Sequence, residues 1–115
     1  MYIAPKELRW LGSSRAELKA FPADARRVAG FQLLRVQLGL DPNDWKSVPS
    51  VGPGVREIRI HTDLEHRVMY VATLPDAVYV LHAFGKKRAK IAKRHITTAR
   101  SRLQALLKQR RGHAR

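Results

Sequence analysis

The side chains best suited to chemistry in this 115-residue chain are cations with a few proton carriers among them. Glu57 and Arg59 are two apart, and Arg67 follows shortly after. Lys86, Lys87 and Arg88 form an unbroken basic run. If the first two segments are neighbouring strands and the run leaves a third, all of these groups gather on one side of a twisted sheet. Such a surface binds RNA through its phosphates. It can also stabilise charge growing on a phosphoryl oxygen while a 2′-oxygen attacks the adjacent phosphorus. That reaction needs a proton acceptor and a proton donor. The candidates are His82, His95, His66, Glu57 and a lysine of lowered pKa. The competing reading is that Arg59 and Arg67 are ordinary cross-strand polar residues.

Other chemistries fit less well. The nine carboxylates are scattered, and none of the five histidines has a helical i, i+4 partner, so no metal site is expected. There is no cysteine, which excludes disulfides and thiolate zinc sites. No Ser-His-Asp signature is present. Gly52-Pro53-Gly54 reads as a turn, because proline lacks an amide that a phosphate cradle would use.

The elements that must position these groups follow from spacing. Ser14-Arg15-Ala16-Glu17 has the form of a capping box and opens a short helix. Ala25, Val28, Ala29, Phe31, Leu34 and Leu38 recur at helical spacing, with Pro22 in the first turn and Gly39 as a stop. Two helices are therefore expected over 14–38. Leu8 to Leu11 is a short strand candidate. Residues 41–54 are rich in turn formers and read as a connection, with Trp45 capping a core edge. Residues 55–61, 67–72 and 77–84 read as strands. Their connections are too short for crossover helices, so they form an antiparallel meander. Helix is expected from Lys87 on, with Ala92, Ile96, Ala99, Leu103 and Leu106 as an apolar stripe. The stripe must bury on the sheet or on a partner. Residues 108–115 read as a frayed basic tail of a single domain spanning 1–115.

Charge is unevenly spread. Residues 1–85 carry 11 basic and 9 acidic side chains, whereas residues 86–115 carry 12 basic and none acidic. The total is +14. A field of one sign on one element draws polyanions or acidic proteins. Arg56, Lys86, Arg88, Lys90, Lys93 and Arg94 are the expected RNA-binding residues. No apolar run approaches a membrane span and residues 1–7 do not resemble a secretory leader, so a cytoplasmic location and no membrane partner are expected.

An ordered series of segments resembles the phage-derived branch of the RelE/HigB toxin family. The segments are Phe21 to Arg27, Leu40 to Lys46, Val51 to Ile60, Arg67-Val68-Met69-Tyr70, and Val78 to Lys87. The likeness spans about residues 7–107. It implies an α+β fold in which two N-terminal helices pack on a small antiparallel β-sheet, here with a basic C-terminal helix. It also implies the toxin of a two-gene toxin–antitoxin pair that cleaves mRNA on the ribosome, in the A site, without a metal or other cofactor. The implied partner is an antitoxin, often a helix-turn-helix protein in the HigA style. By position, Arg59, Arg67 and Lys87 would hold the scissile phosphate and His95 would take the place of the late proton-transfer residue. The run Gly85-Lys86-Lys87-Arg88-Ala89-Lys90-Ile91 departs from the usual Gln-Lys-Lys-Thr-Gln-Lys-Thr. The alternatives are a ParE-like toxin that inhibits DNA gyrase and a non-catalytic RNA-binding protein.

Overall fold

The computed structural model describes residues 4–113. Its chain runs β1 (Glu7–Trp10), α1 (Ser14–Lys19), α2 (Ala23–Gln37), β2 (Trp45–Ser47), β3 (Val55–His61), β4 (Glu65–Val71), β5 (Ala77–Lys86) and α3 (Lys93–His113). The strands form one five-stranded sheet in the order β1-β5-β4-β3-β2. The expected meander of three strands is its centre. Two short strands extend it. β1 lies parallel to β5, and β2 lies antiparallel to β3.

Each sheet face carries its own core. Ile58, Ile60, Val68, Tyr70, Val78, Val80 and Ala83 meet Leu18, Phe21, Ala25, Ala29, Leu33 and Val36 of the α1–α2 hairpin. On the other face Val55, Met69, Val71, Tyr79, Leu81 and Phe84 meet Ala99, Leu103 and Leu106 of α3. The α3 stripe thus buries on the sheet. This two-sided cover explains why β5 is apolar along almost its whole length.

β5 also carries one residue more than strict pairing allows. Met69 faces His82 and Tyr70 faces Val80, so Leu81 is extra. The bulge changes which residues share a face. Tyr79 and Leu81 point to α3, and so do Phe84 and, as its contacts show, His82.

Several local expectations change. The capping box at Ser14 does not form. α1 has Ser13 at its N-cap without a side-chain cap, and Ser14 Oγ donates to the Val80 carbonyl instead. On α2 the buried face is Ala25, Ala29, Gln32, Leu33 and Val36. Val28, Phe31, Leu34 and Leu38 form a second stripe on the solvent side, with Phe31 56% exposed. The inner face is small at Ala25 and Ala29 and is completed by Gln32, Leu33 and Val36. Gly39 closes α2 as expected, at φ +83° with Leu40 N–H donating to the Arg35 carbonyl. Trp45 lies in β2 under the Arg56 guanidinium, 3.8 Å from ring centroid to Cζ.

α3 begins at Lys93, not Lys87, because β5 extends to Lys86 and residues 87–92 form an irregular link. At the other end α3 continues to His113, so residues 108–113 are helical and not a frayed tail. Residues 114–115 of that expected tail lie outside the described residues.

Candidate active site

The link between β5 and α3 forms one wall of a cleft of about 460 Å³. Phe84, Gly85, Lys86, Lys87, Arg88, Lys90, Ile91, Ala92, Arg94 and His95 line it. Five of these carry cationic side chains. The first turn of α3 opens onto the same cleft and contains no acid, so the positive end of the helix dipole adds to the field. Expected RNA-binding residues Lys86, Arg88, Lys90 and Arg94 are therefore brought together, along with Lys87. Lys93 is exposed beside them without lining the cleft.

His95, half-buried, is part of the cleft wall. Phe84 stacks on its ring, and its Nδ1 lies 2.8 Å from His82 Nε2. His82 Nδ1 in turn donates to Glu17 Oε1 at 2.8 Å. Arg102 closes the row: its Nη1 donates to Glu17 Oε1 and its Nη2 to Glu17 Oε2, both at 2.9 Å. Nη1 also donates to the Leu81 carbonyl at 3.0 Å. The row Arg102–Glu17–His82–His95 thus crosses α3, α1 and β5 and returns to α3. Gly12 makes room for it. At φ +53° any side chain there would be strained, and a Cβ would lie 2.5 Å from Arg102 Nε.

Burial and pairing set the charges. Burial pushes the Glu17 carboxyl up, but hydrogen bonds from Arg102 and His82 outweigh this and hold it at about 2. Burial lowers the pKa of His82, with only part of the loss restored by Glu17. His95 is lowered to about 4 by burial and by the neighbouring His82 and Arg94. Near neutral pH the row therefore holds an anionic Glu17 and two neutral imidazoles.

The two arginines of the expected phosphate site lie farther along the same sheet face. Arg59 pairs in register with Arg67, and Arg67 with Phe84. Arg59 is two strands from Phe84, on the order of 10 Å. Its side chain is 38% exposed and lies 4.0 Å from Asp44. Arg67 is only 1% exposed. Its Nη1 donates to Glu65 Oε1 at 3.0 Å and to the His66 carbonyl at 2.9 Å. It does not present a guanidinium fork to the cleft, which corrects its expected place against a phosphate. The cause is its position in an inner strand, where neighbours on both sides cover it.

Three other expectations are corrected. Arg56 points to the opposite sheet face, where it pairs with Asp41 at 2.9 Å and covers Trp45, so it is not part of the basic cleft. His66 packs on Phe21 at 4.4 Å under the α1–α2 hairpin and is removed from proton transfer at the cleft. Glu57 stays on the Arg59 face but is buried, and burial raises its pKa. It does not line the cleft.

Glu17 and Arg102 were hidden in the sequence. Glu17 has the spacing of a capping residue. Arg102 sits beside Leu103 and between Ala99 and Leu106, at the margin of the buried stripe. That margin was the available signal, since an arginine there can snorkel along the core to a buried acid.

Among the described residues, no group of three or more His, Cys, Asp or Glu is arranged to hold a metal ion. No helix there is long and apolar enough to cross a membrane. No curated protein matches the chain. A family model described as phage-derived protein Gp49-like matches residues 16–104, a segment that contains every member of the row from Glu17 to Arg102. The chain belongs to this Gp49-like family, whose association is with toxin–antitoxin systems and whose members are often toxin-like, in the broad manner of RelE-like toxins.

Proposed function

We propose that the chain is the toxin of a two-gene pair and an endoribonuclease of the RelE/HigB kind, cutting mRNA in the ribosomal A site without a metal. The observation that carries this reading is the opening of a five-cation cleft directly onto a neutral His95. Lys86, Arg88, Lys90 and Arg94 hold backbone phosphates. Lys87, exposed at the rim, faces the scissile one.

The 2′-hydroxyl gives its proton to His95, and the 2′-oxygen forms a bond to phosphorus. The bond from phosphorus to the 5′-oxygen breaks with its electron pair on oxygen, which takes a proton from water or from Lys87. The products are a 2′,3′-cyclic phosphate and a 5′-hydroxyl. A base held at about 4 is weak when free. A phosphate seated beside it supplies the negative charge its surroundings lack and raises its basicity. Arg67, buried and paired with Glu65, acts beneath the surface and does not touch RNA.

The cognate antitoxin, a HigA-like helix-turn-helix protein in this reading, would compete for the basic cleft with acidic segments. The test is incubation of the purified chain with ribosomes programmed with a defined mRNA, followed by mapping of the cut and its end groups. Cleavage leaving a cyclic phosphate supports the reading. Intact mRNA together with arrested gyrase supercoiling would replace it with the ParE-like one. Binding without either effect would leave a plain RNA-binding protein.

A further inference from the structure

We infer that Glu17 and His82, anchored by Arg102, are positioning residues that fix His95 in the tautomer with hydrogen on Nδ1 and a bare Nε2. His95 then enters the reaction as a proton acceptor. The catalytic part of this inference rests on the endoribonuclease reading; the tautomer does not.

The assignment follows by exclusion along the row. An ionised Glu17 only accepts hydrogen bonds. His82 Nδ1, 2.8 Å from Glu17 Oε1, must therefore carry the hydrogen. A neutral imidazole has one N–H, so His82 Nε2 is bare. That bare nitrogen lies 2.8 Å from His95 Nδ1, a distance at which two lone pairs repel. His95 Nδ1 must donate. His95 is neutral as well, so its single hydrogen is used and Nε2 keeps its lone pair.

No hydrogen bond among the described residues engages Nε2, and His95 is a wall of the cationic cleft. The groups facing the ring are His82 and Phe84 of β5, Glu17 of α1 behind His82, and Arg94 on its own helix.

The row has a second consequence. When His95 accepts a proton, the new charge is relayed toward Glu17 through two hydrogen bonds. Arg102 stops Glu17 from taking that proton, since it occupies both carboxylate oxygens. His95 is left to return it.

The test uses the full-length folded chain labelled with 15N-histidine, in two-bond 1H–15N correlation spectra near neutral pH. Wild type is expected to show His95 protonated at Nδ1 and bare at Nε2. His82→Gln can donate to Glu17 through its amide and accept from His95 through its oxygen, so the same tautomer is expected. His82→Phe offers no acceptor and should give mixed tautomers. In cleavage assays His82→Phe should lower kcat by about 10²–10⁴-fold with little change in KM, the scale of a base held in the wrong tautomer. His82→Gln should recover most of it. A wild-type His95 carrying hydrogen on Nε2 overturns the assignment even if RNA is cut. So does a fully retained Nδ1–H tautomer in a folded His82→Phe variant. The expected spectra without any RNA cleavage leave the assignment standing and overturn the endoribonuclease reading.

Discussion

Phe84 lies face to face with His95, ring centroids 3.9 Å apart and planes inclined by 11°. The stack fixes the plane of the imidazole, and His82 fixes its rotation within that plane. His95→Ala should lower cleavage by about 10²–10⁴-fold, the range for losing a positioned base, while RNA affinity changes little. Phe84→Leu keeps the apolar volume but not the flat platform, and should lower cleavage by a smaller factor.

The pH profile of cleavage tests the same ring. His95 must be unprotonated to accept, and its pKa is about 4 where an ordinary histidine has 6.5. As pH falls, kcat/KM for the free protein should stay level through the range where ordinary histidines titrate. It should be lost only toward about 4. A limb centred near 6.5 would mean that the reacting group is not a buried histidine.

Glu17 and Arg102 should dominate acid stability. The folded pKa of Glu17 is about 2 against an ordinary 4.5. A depressed carboxylate stabilises the fold above its unfolded pKa, and the contribution disappears as pH falls from about 4.5 through about 2. Its size is about 2–3 kcal/mol once solvent screening is allowed for. Arg102→Ala should destabilise by about 2–4 kcal/mol near neutral pH, because it leaves a part-buried carboxylate short of partners. Urea denaturation of wild type and variant across pH checks both. A variant whose stability keeps the wild-type pH dependence would place the titrating pair elsewhere.

Arg67 and Arg59 should separate by burial. Arg67→Ala removes a fully buried side chain that donates to Glu65 and to the His66 carbonyl, so a loss of about 2–4 kcal/mol is expected. Arg59→Ala, with a side chain 38% exposed, should cost under about 1 kcal/mol. Equal midpoints for the two variants would contradict the burial of Arg67. A fall in cleavage by Arg67→Ala measures phosphate chemistry only under conditions where the variant stays folded.

RNA affinity should depend steeply on salt. Each phosphate contact on single strands contributes about 0.7 to the slope of log affinity against log salt. Replacing Lys86, Lys87 and Arg88 by Ala should therefore reduce the slope by about 2. Arg56→Ala should leave it unchanged, since Arg56 lies on the other sheet face against Asp41 and Trp45.

Much of this architecture is legible in the residues. Strict alternation from Val55 to His61 places Ile58 and Ile60 in the core and Glu57 and Arg59 on the other face, as found. The α3 stripe names three residues of the second core. The charge count locates the cationic cleft. What escapes a local reading depends on contacts distant in sequence. Glu17 and Arg102 are 85 positions apart, and only the fold makes them partners. On α2 only Ala25 and Ala29 of the expected stripe face inward. Gln32, Leu33 and Val36 complete the buried face while Val28, Phe31, Leu34 and Leu38 face outward, a choice between two apolar stripes that periodicity does not decide. β1 and β2 are 4 and 3 residues long and exist because a neighbouring strand offers an edge.

The extra residue at Leu81 has a meaning for how this site could arise or be lost. Two-residue alternation would send His82 and Phe84 to the α2 side and Ala83 to the α3 side. Taking up Leu81 as a bulge puts Leu81 and His82 on the same face and so reverses that assignment for the rest of the strand. The row of imidazoles therefore depends on the pairing of His82 with Met69 and not on the identity of the residue taken up in the bulge. Substitutions at position 81 can exchange one apolar side chain for another and keep the geometry. Removal of that single codon would leave Val80 opposite Tyr70 and His82 opposite Met69 in unbroken alternation. His82 and the Phe84 platform would keep their side of the sheet, and only the local bend and twist of the bulge would be lost. Among related chains, a β5 one residue shorter at this point can therefore still carry the site, provided a histidine stands opposite the residue equivalent to Met69.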